Sequence, residues 1–498
     1  MKVLTTEQMR QIEARTISNG ATLQSLMRLA GEAIAGAAQA RAPRGNVLVL
    51  AGPGNNGGDG LLAAGLLAAM GRRVRTYTFG RPDVEGSGAQ DAEHDADLDT
   101  LRAWLDSSEI AVDALLGIGQ NRPVEGALAR IVSATNRAHL FRLAADISTG
   151  INADTGQVLG TALRANATLA MGFLKRGSVL PPGRSYSGRL QVAPLGMNRG
   201  LVGDIDVLAP SASEAAALLP KRPEDSNKGS FGRLLVVAGS QDFLGAPALA
   251  CLAAARSGAG LVELAAITSV RQAVASHMVE AVYRTVPERD GHIAAEAAEG
   301  ILRAQKSAVV LGPGLGQSRS VVDLTHSVVK ALPGDCPVVV DADGLNALSR
   351  IPDWWQTTAA LVLTPHPGEM SRLTGIDIAD IQTNRLEVAR SFARTWAQIV
   401  VLKGAGTVVA NPDGRVSVNT TGEANLATAG TGDVLSGIVG GLLAQGLDPW
   451  DAAVAGVYWH GAAGDLIAEA LGDAGTLASD LPPALPRARK IILEEADS

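Results

Sequence analysis

Two segments of this chain set glycine beside side-chain oxygen in patterns that could do chemistry. The first, GPGNNGGDG from Gly52 to Gly60, follows an apolar run, and Gly52, Gly54 and Gly57 match the spacing GxGxxG. Such a loop lets backbone approach a pyrophosphate at a helix N-terminus. The acidic residue that normally ends the next strand and holds a ribose is missing, because that run ends Tyr77-Thr78-Phe79-Gly80-Arg81. A P-loop fails too, since Gly58 and Asp59 stand where Lys and then Ser or Thr are needed. What remains is Asn55, Asn56 and Asp59, whose oxygens could hold a cation or ligand hydroxyls; an ordinary strand-to-helix turn is the alternative. Asp113 in AVDALLG and Asp146 in AADISTG end further apolar runs. Oxygens from Asn, Asp and a Ser or Thr suit an alkali or alkaline-earth ion better than zinc. After Asp113, GIGQNRP offers backbone donors and Arg122 for a phosphate.

The second segment, NLATAGTGDVLSGIVGGLLAQG from Asn425 to Gly446, puts a Gly-Thr-Gly-Asp turn ahead of a long apolar stretch. Amides of Ala429 to Gly432 can face a phosphate at a helix start, and Asp433 can take the proton of a hydroxyl attacking it. That is kinase-like chemistry; a helix-capping Asp is the plainer alternative. In KGAGTVVA, Lys403 and the following glycines could approach phosphate or ribose. Asp341 and Asp343 in VVVDADG, His366 and Glu369 in TPHPGEM, and Gly312, Gly314 and Gly316 in GPGLG also follow apolar runs. Asp341 either borders the crevice or caps the LNAL helix. His366 is a ligand contact or a locally bonded turn residue, and His460 is expected in helix packing. Zinc is not expected, because no Cys or His stands at ligand spacing.

These residues need strands to carry them. From Asn46 apolar β-branched runs alternate with alanine-leucine stretches, the signature of βαβ units in a parallel sheet covered on both faces. A second series runs from RLLVVAGS at Arg233 through QIVVLKGAGTVVA. Between them, Pro210 to Gly232 is rich in Pro, Ser and charge, which places a boundary near Ser226 and predicts two unrelated α/β domains, 1–225 and 226–498. Ligands in such sheets sit beyond the carboxyl ends of the strands, where nearly all these residues fall. A net charge of −7 without a basic block argues against nucleic acid. Cys251 and Cys336 lie in apolar stretches and are expected as buried thiols. MKVLTTEQMRQIEA turns polar at once and no uncharged apolar run reaches about 18 residues. No membrane association and a cytoplasmic setting are therefore expected.

The NNGGDG loop, DALLGIG with its following Arg-Pro pair, and the Asp-Ile-x-x-Gly segment resemble the NAD(P)H-hydrate epimerase family over most of residues 1–220. The resemblance implies a Rossmann-like three-layer domain that interconverts the R and S epimers of hydrated reduced nicotinamide cofactors. It implies potassium on Asn56, Asp113 and Thr149. Substrate contacts would come from Asn55, Asn56, Gly57, Gly58 and Asp59, from Gly117, Ile118, Gly119, Gln120, Asn121, Arg122 and Pro123, and from Asp146, the candidate proton-transfer group. Ser148-Thr149 stands where that family usually has Pro-Ser, keeping the hydroxyl. Lys175 in GFLKRG is expected in solvent, with a place facing the site as the alternative.

GSQDFLGAPALA, VVVDADGLNAL, TPHPGEM, KGAGT and GTGDVLSG, in that order, are similar to the ADP/ATP-dependent NAD(P)H-hydrate dehydratase family over about residues 226 to 490. This implies a ribokinase-like three-layer α/β domain that phosphorylates the hydrate hydroxyl and expels phosphate, with ADP preferred. Lys403, Gly404, Ala405, Gly406, Thr407 and Gly432 would bind the nucleotide. Ala246, Gly316, His366 and Asp433 would contact the hydrated ring, Asp433 activating its hydroxyl. Mg2+ would accompany the phosphates, with Glu369 aiding through water. Asn227 and Phe243 stand where that family often has His and Tyr. The expected partners are small molecules, and a homo-oligomer is expected. The competing reading is a ribokinase-like kinase for a vitamin or hydroxymethyl substrate with a regulatory Rossmann-like domain. A third is a non-catalytic N-terminal domain that senses nucleotide or recruits a partner.

Overall fold

In a computed structural model, which describes residues 1–81 and 89–497, the run Val47–Ala51 forms a strand buried along its whole length. Its side chains alternate between two cores. Val47 and Val49 join a cluster with Ile34, Ala38 and Leu67, while Leu48 and Leu50 join Tyr77, Leu101 and Ile131 on the opposite face. A strand apolar on both faces needs helices on both, as in a parallel α/β sheet. Seven strands make this sheet, in spatial order Gln90–Asp91, Val74–Thr78, Val47–Ala51, Ile110–Ala114, Phe141–Ala145, Ala167–Met171 and Arg189–Ala193. All its neighbouring pairs are parallel. Counted along the chain the order is 3-2-1-4-5-6-7, so the winding reverses between Val47–Ala51 and Ile110–Ala114 and opens a crevice beyond their carboxyl ends. Outside the sheet, Val3–Leu4 pairs in parallel with Leu174–Lys175, Leu4 opposite Lys175. That pairing anchors the helix Thr6–Ser18, which starts from a Thr5–Gln8 capping box.

The second sheet has ten strands. Arg233–Val237 lies between Leu261–Ala266 and Ala308–Leu311, and Val338–Val340, Leu361–Leu363 and Ile399–Leu402 follow outward, all in parallel. The winding reverses beside Arg233–Val237, between it and Ala308–Leu311, which makes a second crevice. Not every strand is parallel: Ile399–Leu402, Val408–Ala410 and Val416–Val418 pair antiparallel, so KGAGT is a hairpin turn at the sheet's end. The apolar helix Thr431–Ala444, buried from Val434 onward, packs on the helix Gly245–Arg256. Glycine permits the close crossing, for a Cβ at Gly437 would stand 2.2 Å from the Ala250 carbonyl oxygen.

Contacts divide the chain between Val207 and Leu208, upstream of the boundary expected near Ser226. Val207–Leu208 is the edge strand of the second sheet, and the helix Ala212–Leu218 packs on the C-terminal helix Leu481–Asp497. Prolines and charges of this stretch therefore mark a surface path of the second unit. Both cysteines are free and buried, and burial pushes the Cys251 thiol up to about 12. No helix among the described residues is long and apolar enough to cross a membrane.

Candidate functional site

At the first crevice the glycine loop and the strand ends meet. A Cβ at Gly52 would stand 1.8 Å from the Leu115 carbonyl oxygen, and one at Gly57 would stand 1.9 Å from that of Gly52. Only glycine at both lets the helix Asn55–Ala69 begin this close to the loop after Asp113. Asn56 is buried, and its Nδ2 donates to the Leu116 and Ala145 carbonyl oxygens at 3.0 and 3.2 Å. Its Oδ1 is thereby aimed elsewhere and has no partner among the described residues. Asp113, 1 % exposed, accepts from the Thr149 hydroxyl at 2.8 Å and the Thr149 amide at 2.9 Å. The Thr149 hydroxyl in turn accepts from the Leu116 amide at 3.0 Å. Burial raises the Asp113 carboxyl to about 6, against the pull of its bonds from Thr149 and Leu115. Asn56, Asp113 and Thr149 are thus linked through the backbone of Leu116, which accepts from Asn56 and donates to Thr149.

Asp146 sits in the left-handed region, φ 68°, which is strained for a residue with a side chain. Its Oδ1 accepts from the Met171 amide at 3.0 Å and from Lys175 Nζ, which also donates to the Met171 carbonyl oxygen at 2.8 Å. Lys175 is fully buried, so the solvated lysine expected from GFLKRG is corrected: the ammonium is the counter-charge of Asp146. An isolated buried ammonium would be costly, and pairing offsets that cost. Asp59 has a buried Oδ1 without a partner among the described residues. Burial, then the charges of Asp146 and Glu13, raise it to about 7. Glu13, on the helix Thr6–Ser18, is raised by its own burial. Reasoning from motifs missed it, because nothing local marks an amphipathic-helix Glu as a site residue. The lone Lys inside apolar LAMGFLKRGSVL was a signal for Lys175. Gln120 accepts from the Gly150 amide at 2.9 Å, tying the loop after Asp113 to the one after Asp146. Asn55, Gly119, Asn121, Arg122 and Pro123 are exposed, while Gly58, Gly117 and Ile118 are half-buried.

The second crevice is organised by Asp341, 1 % exposed at the end of Val338–Val340. Its Oδ1 accepts from Lys403 Nζ at 2.6 Å and its Oδ2 from the Ser436 hydroxyl at 2.6 Å. Asp341 does not cap the next helix, whose N-cap Ala342 has no side-chain bond. Lys403 also lies 3.8 Å from Glu369. Burial alone would lower the Lys403 ammonium, yet Asp341 and Glu369 carry it upward overall. A Cβ at Gly432 would stand 3.3 Å from Lys403 Nζ, so the bare first turn of the helix Thr431–Ala444 faces that cation. Asp433 is no cap either: Gly430 holds the N-cap without a side-chain bond. Burial, with Asp341 nearby, raises Asp433 to about 7. Ser436, overlooked in GTGDVLSG, lies four residues after Gly432 on one helix face.

His366 is the N-cap of the helix Pro367–Thr374, its Nδ1 accepting from the Gly368 and Glu369 amides at 3.0 and 3.3 Å. The locally bonded reading therefore describes Nδ1, while half the side chain faces solvent. Glu369, raised by burial, accepts from the His366 amide at 2.7 Å. His460 Nε2 lies 3.0 Å from the Thr431 carbonyl oxygen; burial pushes the ring down to about 4, so it is neutral. In the KGAGT turn, the Thr407 hydroxyl donates to the Gly404 carbonyl oxygen at 2.9 Å, while Gly404 and Ala405 are exposed. Beneath it the buried Arg385, also unforeseen, donates to the Leu402 and Lys403 carbonyl oxygens at 2.9 and 3.0 Å. The Gly316 amide donates to Asp343 at 2.8 Å, and Ala246 packs beside Gly314, where a Cβ would meet its own at 3.2 Å. Asn227 caps its own short turn through the Gly229 amide, and Phe243 is exposed.

Two family models match the chain: "YjeF-related protein N-terminus" over residues 23–177 and "NAD(P)H-hydrate dehydratase" over residues 234–487. A bifunctional NAD(P)H-hydrate repair enzyme from Coxiella burnetii is 38% identical, covering 96% of this chain and 97% of its own. One from Moorella thermoacetica is 37% identical over 91% and 89%. Among solved structures, an ADP/ATP-dependent NAD(P)H-hydrate dehydratase from Bacillus subtilis, co-crystallised with ATP and Mg2+, is 37% identical with TM-score 0.52, covering 58% of this chain and 99% of its own. A ribokinase-like superfamily protein from Enterococcus faecalis is 25% identical with TM-score 0.51, over 58% and 96%. With both models in order and relatives aligned over nearly its whole length, the chain belongs to the family of bifunctional NAD(P)H-hydrate repair enzymes.

Proposed function

We propose that this chain repairs hydrated NADH and NADPH, epimerising the R and S hydrates in its N-terminal unit and dehydrating the S hydrate in its C-terminal unit with ADP. The observation that carries the reading is Asp433 beside Lys403, itself locked by Asp341, at the bare helix start around Gly432. Lys403 to Thr407 and the amides at Gly432 hold the nucleotide phosphates. Asp433 takes the hydroxyl proton of the hydrate as its oxygen attacks the terminal phosphoryl group, releasing AMP. The carbon–oxygen bond then breaks with phosphate as leaving group, a ring proton is lost, and the reduced cofactor returns. Ala246, Gly316 and His366 line the place of the hydrated ring. Among the described residues no three His, Cys, Asp or Glu side chains form a metal-holding group. That suits Mg2+ carried mostly by phosphate oxygens, with Glu369 reaching it through water. Bound there, Mg2+ would neutralise charge on the transferring phosphoryl group.

In the N-terminal unit, epimerisation must break and re-form a bond at the hydrated carbon, with a proton carried between the two states. Asp146, held by Lys175, is the proton-transfer group, and the loops Asn55–Asp59 and Gly117–Pro123 hold the substrate. The orphaned Asn56 Oδ1, on a side chain linked through Leu116 to Thr149 and Asp113, fits potassium, whose charge would offset Asp113 and tie three loops together. The chain acts as a homo-oligomer in the cytoplasm.

The test follows return of reduced-nicotinamide absorbance from mixed R and S hydrates. With ADP, absorbance passes the S fraction faster than uncatalysed epimerisation allows. Stopping at the S fraction would overturn the epimerase half. A stable phosphorylated product without reduced cofactor would favour the kinase reading, which the same GTGD geometry also suits.

A further inference from the structure

Two polar groups beside the loop after Ala308–Leu311 take no part in the chemistry above. Ser240, 1 % exposed, has a hydroxyl without a hydrogen-bond partner among the described residues. His292 comes from a small antiparallel hairpin, Glu288–Arg289 with His292–Ile293, separate from the main sheet. Its Nδ1 lies 2.8 Å from the Asp290 carbonyl oxygen, which can only accept, so Nδ1 is the donor there and Nε2 is the ring nitrogen left to accept. Both groups converge on Gly316, where a Cβ would stand 2.5 Å from His292 Nε2 and 3.8 Å from Ser240 Oγ. Gly316, at φ +77°, puts no side chain between them. Its amide donates to Asp343, whose charge is felt at Asp433, so this lip belongs to the same crevice as the reacting carboxylate.

The geometry points to a carboxamide subsite in the C-terminal crevice, in which the Ser240 hydroxyl donates to the amide oxygen of the hydrated nicotinamide ring and His292 Nε2 accepts from its NH2. A primary amide offers one acceptor and one donor side by side, the complement of this pair. An unpaired buried hydroxyl is expensive to leave unmade, and the substrate satisfies it. The terminal phosphoryl group of a nucleotide fits badly, because once fully ionised it has no proton to give the acceptor nitrogen. The ring hydroxyl is reserved for Asp433. Neither Ser240 nor His292 is among the residues that the family resemblance assigns. The inference rests on the dehydratase reading of this crevice.

The discriminating substrate is the S hydrate of reduced 3-acetylpyridine adenine dinucleotide, in which a methyl group replaces the amide nitrogen and the carbonyl oxygen stays. The unaltered chain is expected to use the amide hydrate with kcat/KM at least roughly tenfold above the acetyl hydrate, because a site built around an N–H rejects the analogue without it. His292→Leu should slow the amide hydrate and bring the two within about twofold. His292→Gln, which restores an acceptor oxygen, should recover part of the ratio. Ser240→Ala should slow both substrates and keep the ratio. Thermal melts confirm that each variant folds. Equal use of both hydrates by the unaltered chain, or a proportional loss on both in His292→Leu, would overturn the subsite while leaving dehydration intact. No turnover of the amide hydrate by the unaltered chain would instead remove the dehydratase reading and the subsite with it.

Discussion

A buried carboxylate is useful only with a partner that sets its charge, and the two crevices solve this differently. Asp146 has a cation of its own in Lys175, whose removal leaves three carboxylates, Asp146, Asp59 and Glu13, near one another without it. Lys175→Met should therefore lower stability by roughly 3–5 kcal/mol, the cost of breaking a buried pair from one side, and abolish epimerisation. Adding Asp146→Asn should restore much of the melting temperature but none of the activity; a melt unchanged by Lys175→Met would count against the pairing. Asp433 has no such dedicated partner, because Lys403 is claimed by Asp341. It must be ionised to accept a proton, and it sits near pKa 7, raised by burial and by Asp341. The sign follows: nucleotide-driven kcat/KM climbs as pH rises through about 7 and falls about tenfold for each unit below it. Asp433→Asn should lose about 10²–10⁴ in kcat with nucleotide still bound. A profile flat from about pH 6 to about pH 8 would overturn the assignment.

Elements explain which of these residues could be anticipated. Strand ends are visible in sequence, since an apolar run that stops at Asp113, Asp146 or Asp341 announces the edge of a sheet. Pairings between distant short elements are not. The two-residue match of Leu4 with Lys175 brings the first helix, and Glu13 with it, toward Asp146, yet neither segment carries a pattern longer than itself. Arg385 is of the same kind: it enters from the helix Arg385–Trp396 and braces the hairpin turn by two backbone carbonyls, while Gln382 accepts its third bond at 2.6 Å. Lysine cannot reproduce that fork. Arg385→Lys should raise KM for ADP by about tenfold, the worth of one charge-assisted hydrogen bond, with a smaller change in kcat. Epimerisation in the same preparation should be unaffected, which separates loop bracing from general unfolding.

At the level of the whole molecule, each unit carries its own sheet, its own reversal of winding and its own crevice. On the proposed function each chemical step belongs to one unit, and the S hydrate that connects them would pass through solution. Mixing the Asp146→Asn and Asp433→Asn variants should restore ADP-dependent return of absorbance beyond the S fraction, at a rate that rises with the concentration of either variant. Failure to complement, with each variant retaining its other activity, would show that the intermediate is not shared through solution.

Sequence by itself determined the class of both units, the apolar runs that become their central strands, the two glycine loops and the carboxylates at strand ends. All of these follow from local periodicity and from what glycine permits. Tertiary structure alone decided that Lys175 is buried rather than solvated and that Asp341 engages Lys403 and Ser436 instead of capping a helix. It also decided that Leu208 and the helix Ala212–Leu218 go with the second unit. The physical reason is common to all three. The energy of a charge or of a short edge strand depends on what lies across the fold from it, and neighbours in the chain carry no record of that.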